Sequence, residues 1–173
     1  LIPFFARIPN RIGQAGHHRQ AILTNRVELL SPEKHQQWEY VDILGLKDVK
    51  QLPSPTLAVP EKAKHDIAQK LHADSVTNWV GILPGAARGP SKQWPQEHFI
   101  SAAKSIARDC NCRFIIMGTQ SEATLCESVC RGIGDKAISL AGKTSLSELI
   151  AALNQCTTLI CNDSGGMHLA ASA

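Results

Sequence analysis

The sequence predicts an α/β fold, a parallel sheet covered by helices, and three observations predict it. From Asn78 onward, short β-branched or apolar runs alternate with stretches whose apolar residues recur at helical spacing, the order that βαβ units produce. Loops of glycine and small polar residues follow several of those runs, at the strand ends where open parallel sheets bind ligands. The balance of 43% hydrophobic and 19% charged residues over 173 positions supports a core, without disorder-prone polarity.

The elements follow in chain order. Arg11-Ile12-Gly13 and Arg26 to Leu29 predict short extended pieces, and Glu33 to Leu46 a helix. Gln51 to Pro60 holds Pro53, Pro55 and Pro60, a stiff extended linker unsuited to a helix or a central strand. A domain boundary is therefore expected between about Leu52 and Thr77, with residues 1–60 as one segment plus linker and 61–173 as a second domain. Asn78 to Leu83 reads as a strand. Pro95 stands as the first residue of a helix to Arg108, with Glu97 in its first turn and Phe99, Ala103, Ile106 and Ala107 on one face. Arg113 to Met117 is the next strand, after which Ser121 caps a helix with Leu125, Cys126 and Val129 inward. Lys136 to Leu140 is a short strand. Ser145 and Glu148 form a capping-box signature, and Leu146, Leu149, Ile150 and Leu153 make one buried stripe. Thr157 to Cys161 is the last strand, running through Asn162-Asp163-Ser164-Gly165-Gly166 into a helix from Met167 to Ala173.

Composition excludes several function classes. The longest apolar runs, such as Phe114 to Met117, fall far short of the roughly 20 residues that span a bilayer. The start, Leu1-Ile2-Pro3-Phe4-Phe5, has no Met, basic leading region or small-residue cleavage site, so it reads as a chain entered in mid-domain rather than as a signal peptide. A net charge of +3 with scattered Lys and Arg argues against a nucleic-acid surface. The six cysteines sit in or beside helix and strand patterns, which suits reduced thiols. Neither Cys110 with Cys112 nor Cys126 with Cys130 has the two-residue knuckle spacing of a zinc site, and no metal or cofactor is expected.

Three strand-end loops carry the candidate chemistry. Pro84-Gly85-Ala86-Ala87-Arg88-Gly89-Pro90-Ser91-Lys92-Gln93-Trp94-Pro95 lets backbone approach a ligand at Gly85 and Ala86 and offers Arg88 and Lys92 to a phosphate, although it could equally be a connector with solvated cations. It matches neither a Walker A nor a G-x-G-x-x-G pattern, which speaks against P-loop hydrolysis and ordinary dinucleotide binding. In Asn162 to His168, backbone N–H groups around Ser164, Gly165 and Gly166 could hold a diphosphate, or the stretch could be a plain strand-to-helix turn capped by Asp163 or Ser164. After Gly118, Glu122 could receive ribose hydroxyls, yet a glutamate in a first helical turn is favoured without any ligand.

Taken together the loops resemble those of the glycosyltransferase family 9 heptosyltransferases. Pro84 to Pro95 is similar to the family's P-G-A-x-x-G-P-x-K-x-W-P, Asn162 to Ala171 to its N-D-S-G-x-M-H-x-A-A, and Leu140 to Leu146 to its L-A-G-x-T-x-L. Pro3-Phe4-Phe5-Ala6 and Ile8 to Gly13 resemble the closing part of the first domain, so the resemblance spans nearly the whole sequence.

This resemblance implies a GT-B architecture of two Rossmann-like halves, with residues 1–60 a remnant of the acceptor-side half and 61–173 most of the donor-side half. It implies inverting transfer of heptose from ADP-heptose to the inner core of lipopolysaccharide, at the cytosolic face of the inner membrane with peripheral membrane contact. Lys92 would be the principal cation for the leaving diphosphate, helped by the N–H groups of Ser164, Gly165 and Gly166. Asp163 would bind donor-sugar hydroxyls or fix its loop, and His168 would support that turn. Glu122 would lie near the ribose and Thr144 near the adenine edge. The family's acidic general base has no counterpart here, which implies that this stretch, truncated at both ends relative to the family, does not catalyse by itself. Another ADP- or UDP-sugar GT-B transferase, or a non-catalytic nucleotide-binding module, would share these features. His17, His18 and His35 could touch an anionic oligosaccharide or be solvated loop residues, and Trp94 is expected to pack its loop against the sheet.

Overall fold

The computed structural model describes residues 2–16, 18–28, 36–46, 48–53, 55–71, 78–86 and 90–173. The chain forms two compact units, Leu1–Ser54 and Pro55–Ala173. In the first, helix α1 (Ile2–Phe5) precedes two parallel strands, β1 (Ile12–Gln14) and β2 (Asn25–Val27), linked through a 3-10 turn at Gln20–Ile22. Arg11 ties this link together: its backbone N–H donates to Thr24 Oγ1 at 2.7 Å and its Nε to Ile22 O at 2.5 Å. Helix α2 (Gln37–Leu44) ends on Gly45, whose φ of 68° supplies the left-handed cap. Leu29, the front of the helix expected from Glu33, His17 and His35 lie outside the described residues; His18 is exposed.

The second unit carries α3 (Glu61–Leu71), β3 (Trp79–Leu83), α4 (Gln96–Asp109), β4 (Arg113–Ile116), α5 (Ala123–Ile133), β5 (Ala137–Ser139), α6 (Leu146–Gln155), β6 (Cys156–Cys161) and α7 (Gly165–Ala170). The strands form one parallel sheet in the order β5-β4-β3-β6. Because successive side chains of a strand point to opposite faces, β3 and β4 feed two cores. Val80, Ile82, Phe114 and Ile116 pack with Phe99 and Ala103 of α4 and Cys126 and Val129 of α5. On the other face Trp79, Leu83, Ile115 and Met117 meet Ile67 and Leu71 of α3 and Ala151 to Leu153 of α6. All five residues of β3 are buried, as a central parallel strand requires. The proline-rich stretch joins this unit from Pro55 on: the Leu57 N–H donates to Ser172 O at 2.8 Å, and Val59 packs on the second core.

Four local expectations are corrected. Pro95 is the cap before α4, not its first residue, because its ψ of 140° is extended. A 3-10 turn at Gln120–Glu122 leads into α5, and Thr119, not Ser121, makes the reciprocal capping box with Glu122. The last helix starts two residues earlier than expected, at Gly165, and ends at Ala170. Leu146 is 62% exposed, so the stripe on α6 is buried only from its second turn on. Among the described residues no helix is long and apolar enough to cross a membrane, and no three His, Cys, Asp or Glu side chains gather as a metal-holding group.

Candidate functional site

The sheet reverses its direction of growth between β3 and β6: the chain adds β4 and β5 on one side, then returns across α6 to lay β6 on the other. Such a switch point separates the loops that follow its two strands and leaves a crevice at their carboxyl ends. A cleft of about 420 Å³ opens there, lined by Gly85 after β3, Gly118, Thr119 and Glu122 after β4, Thr144 before α6, and Ser164, Gly165 and Gly166 after β6. Leu146, Leu149 and Leu169 give it an apolar wall.

Glu122 builds part of this wall. Its Oε2 accepts both the backbone N–H and the hydroxyl of Thr119 at 2.8 Å. The other oxygen, Oε1, lies so close to Gly85 that a Cβ there would be 1.8 Å away. A side chain at position 85 would require the Glu122 carboxylate to move. Gly142, at φ 68°, makes the turn ahead of Thr144, and its N–H donates to Gly118 O at 3.0 Å. The capping box of Ser145 and Glu148 then starts α6, with the Ser145 N–H on Glu148 Oε2 at 2.7 Å. Lys70 of α3 clamps the same carboxylate at 2.5 Å and also donates to Lys143 O at 2.8 Å. These bonds from Lys70 and Ser145 hold the Glu148 carboxyl down at about 2, against an ordinary value of 4.5.

Across the crevice, Asn162 binds the two loops together. Its Nδ2 donates to Pro84 O at 2.8 Å and Gly85 O at 3.1 Å, while its Oδ1 accepts the Trp94 N–H at 3.0 Å. At the next position Asp163 accepts from Lys92 Nζ at 2.8 Å, an exposed ion pair. Just ahead of α4, Trp94 is stacked on His98 with centroids 5.3 Å apart and edge-on to Phe99 at 5.0 Å, a residue buried in the core between α4 and the sheet.

Of the residues singled out in the sequence, Gly85, Glu122, Thr144, Ser164, Gly165 and Gly166 thus share one cleft. Lys92 and Asp163 pair with each other outside its lining, and half-buried Ala86 and exposed His168 are also off it. Arg88 lies outside the described residues. Ser164 precedes α7 but makes no side-chain capping bond. Asn162 and Leu146 were not anticipated; a polar residue directly after an apolar strand was the available signal for the first. All six cysteines are free thiols, and burial pushes those of Cys126 and Cys156 up to about 12, so they stay protonated at neutral pH.

The family model "Glycosyltransferase family 9 (heptosyltransferase)" matches residues 1–173. The chain belongs to glycosyltransferase family 9. It is 29% identical over 188 residues to lipooligosaccharide heptosyltransferase 2 of Haemophilus ducreyi, covering 99% of this chain and 53% of that protein. The structure of Escherichia coli ADP-heptose LPS heptosyltransferase II superposes with a TM-score of 0.67 and 26% identity, over 99% of this chain and 55% of that one. The family 9 glycosyltransferase of Veillonella parvula does so with a TM-score of 0.73 and 24% identity, over 94% and 47%. The chain spans about half the length of the curated relatives it matches. Like the heptosyltransferase structures it superposes on, this family 9 chain is α/β, of the GT-B type with a Rossmann-like parallel sheet flanked by helices.

Proposed function

We propose that the cleft binds an ADP-linked heptose, and that the protein transfers this heptose, with inversion, to the inner core of lipopolysaccharide. The observation that carries the reading is the meeting of Gly85, Glu122, Thr144 and the Ser164 to Gly166 backbone around one cleft at the sheet's switch point, in a chain of a heptosyltransferase family. The ADP-heptose named for the Escherichia coli relative supports the choice of donor.

In the proposed reaction an acceptor hydroxyl oxygen attacks the anomeric carbon opposite the diphosphate. The bond from that carbon to the β-phosphate oxygen breaks, its electron pair leaves with ADP, and the hydroxyl proton passes to a base. The role assigned to this unit is on the donor side. Backbone N–H groups of Ser164, Gly165 and Gly166 would face the diphosphate, close to the Gly85-Ala86 backbone, where preorganised donors stabilise growing charge without reorganisation. Lys92 would exchange Asp163 for the β-phosphate, leaving Asp163 to the sugar hydroxyls. Glu122 would take ribose through the oxygen it does not share with Thr119, Thr144 would meet the adenine edge, and Leu146 and Leu149 its flat face. His168 would brace the turn. Because the acceptor is a lipid, the reaction is placed at the cytosolic face of the inner membrane, by peripheral contact.

Calorimetric titration of ADP, ADP-heptose and UDP tests this, with circular dichroism confirming that wild type and Lys92→Ala are folded. ADP and ADP-heptose should bind in preference to UDP, and Lys92→Ala should weaken ADP by about tenfold, as expected for a charge-assisted phosphate contact. A preference for UDP, or a folded protein with no nucleotide affinity, contradicts the reading.

A further inference from the structure

Asn162 stands out as a polar group placed where apolar residues would pack: it is 7% exposed, the buried polar side chain among the described residues. Its hydrogen bonds reach two separate stretches of backbone, Pro84 and Gly85 after β3 and Trp94 just ahead of α4. Chemistry fixes the amide's orientation, since the two carbonyls can only accept and the Trp94 N–H can only donate. An isosteric aspartate has no proton for the carbonyls, and an isosteric leucine satisfies neither side.

The same amide sits behind the charged pair. Lys92 stands two residues before Trp94, and Asp163 directly follows Asn162, so both ends of the 2.8 Å ion pair are anchored within two residues of it. Gly85, held through its carbonyl, is also the point at which the β3 loop passes Glu122.

We infer that Asn162 is a positioning residue for donor binding: its carboxamide clips both ends of the loop between β3 and α4, at Pro84-Gly85 and at Trp94, to the end of β6, and so sets where Lys92, Asp163 and Gly85 stand around the cleft. This rests on the cleft being a nucleotide-sugar site. Asn162 acts through Trp94 and Gly85, and does not itself touch the donor.

The test is Asn162→Asp in the full chain, with ADP titrated near pH 8 and near pH 5, amide hydrogen exchange followed at Trp94, and the thermal midpoint recorded. The expected result is ADP binding weaker by about tenfold or more near pH 8 and faster exchange at Trp94. Affinity should partly recover near pH 5, as the introduced carboxyl, raised by burial beside two carbonyls, takes a proton and regains a donor. Wild type should not show that recovery. Unchanged affinity with Trp94 still protected overturns the inference, as does a loss that follows only the thermal midpoint and ignores pH. Should Asn162→Asp not fold, Asn162→Ser, uncharged and able to donate once, is expected to show the weaker binding and faster Trp94 exchange, and wild-type values in both would overturn the inference. Failure of the nucleotide reading looks different: wild type itself then binds no ADP, which overturns both.

Discussion

At Gly85 and Gly165 the absence of a side chain has different causes, and the difference separates folding from binding. A Cβ on Gly85 would meet Glu122 Oε1 at 1.8 Å, so Gly85→Ala must expel a carboxylate that holds two bonds to Thr119. A loss of about 1 to 3 kcal/mol is expected in denaturant melts, together with weaker ADP binding. Around Gly165 a Cβ finds nothing within 4 Å, and the residue opens a helix. Gly165→Ala should therefore leave stability unchanged or raise it by up to about 1 kcal/mol, while weakening ADP if diphosphate lies on that backbone. Equal ADP affinity in a stable Gly165→Ala protein would move the diphosphate elsewhere. The sequence showed these glycines as a pattern but could not tell steric need from ligand approach, because that depends on Glu122, a residue from another loop. Lys92 was legible as a cation on a small-residue loop; its pairing with Asp163, 71 positions away, was not.

Elements whose ends are set by local chemistry were the most legible. The Ser145–Glu148 box and the apolar faces of α4 and α5 lie where spacing puts them, since capping and amphipathicity act within a few residues. Leu146 shows the limit of periodicity: helical spacing places it beside Ile150 and Leu153, but the first turn of α6 extends past the core into the cleft wall. The start of α6 also carries a pH signature. With the Glu148 carboxyl at about 2 instead of 4.5, the stabilisation it brings is fully present above about pH 4.5 and is lost as pH falls toward 2. Its side chain is 16% exposed and that of Lys70 36%, so solvent screening reduces the effect to about 1 kcal/mol. Wild type should thus lose more stability than Glu148→Gln between about pH 5 and pH 2 in parallel melts, and equal slopes would show that the Lys70 clamp contributes nothing. On β4, where Phe114 is fully buried, Phe114→Ala should cost about 3 to 5 kcal/mol by the same measurement.

At the scale of the molecule, the burial is unequal between the two units. Among the described residues, all the buried hydrophobic side chains but Val41 belong to Pro55–Ala173. Residues 55–173 alone should then reproduce the main thermal transition of the whole chain, and a transition lowered by more than about 5 °C would show that the first unit stabilises the second. The order of β runs and helical stretches made the parallel sheet legible; the return of β6 to the side of β3 was not, because strand order is a matter of tertiary packing rather than local pattern. That return creates the crevice on which the functional reading depends. The most direct test is to add ADP to the isotope-labelled chain and follow its backbone amide resonances. The amides of Gly85, Thr119, Thr144, Ser164, Gly165 and Gly166 should shift together and saturably, with those of β1 and β2 unmoved; shifts confined to other residues, or none at all, would contradict a nucleotide site at the β3–β6 switch point.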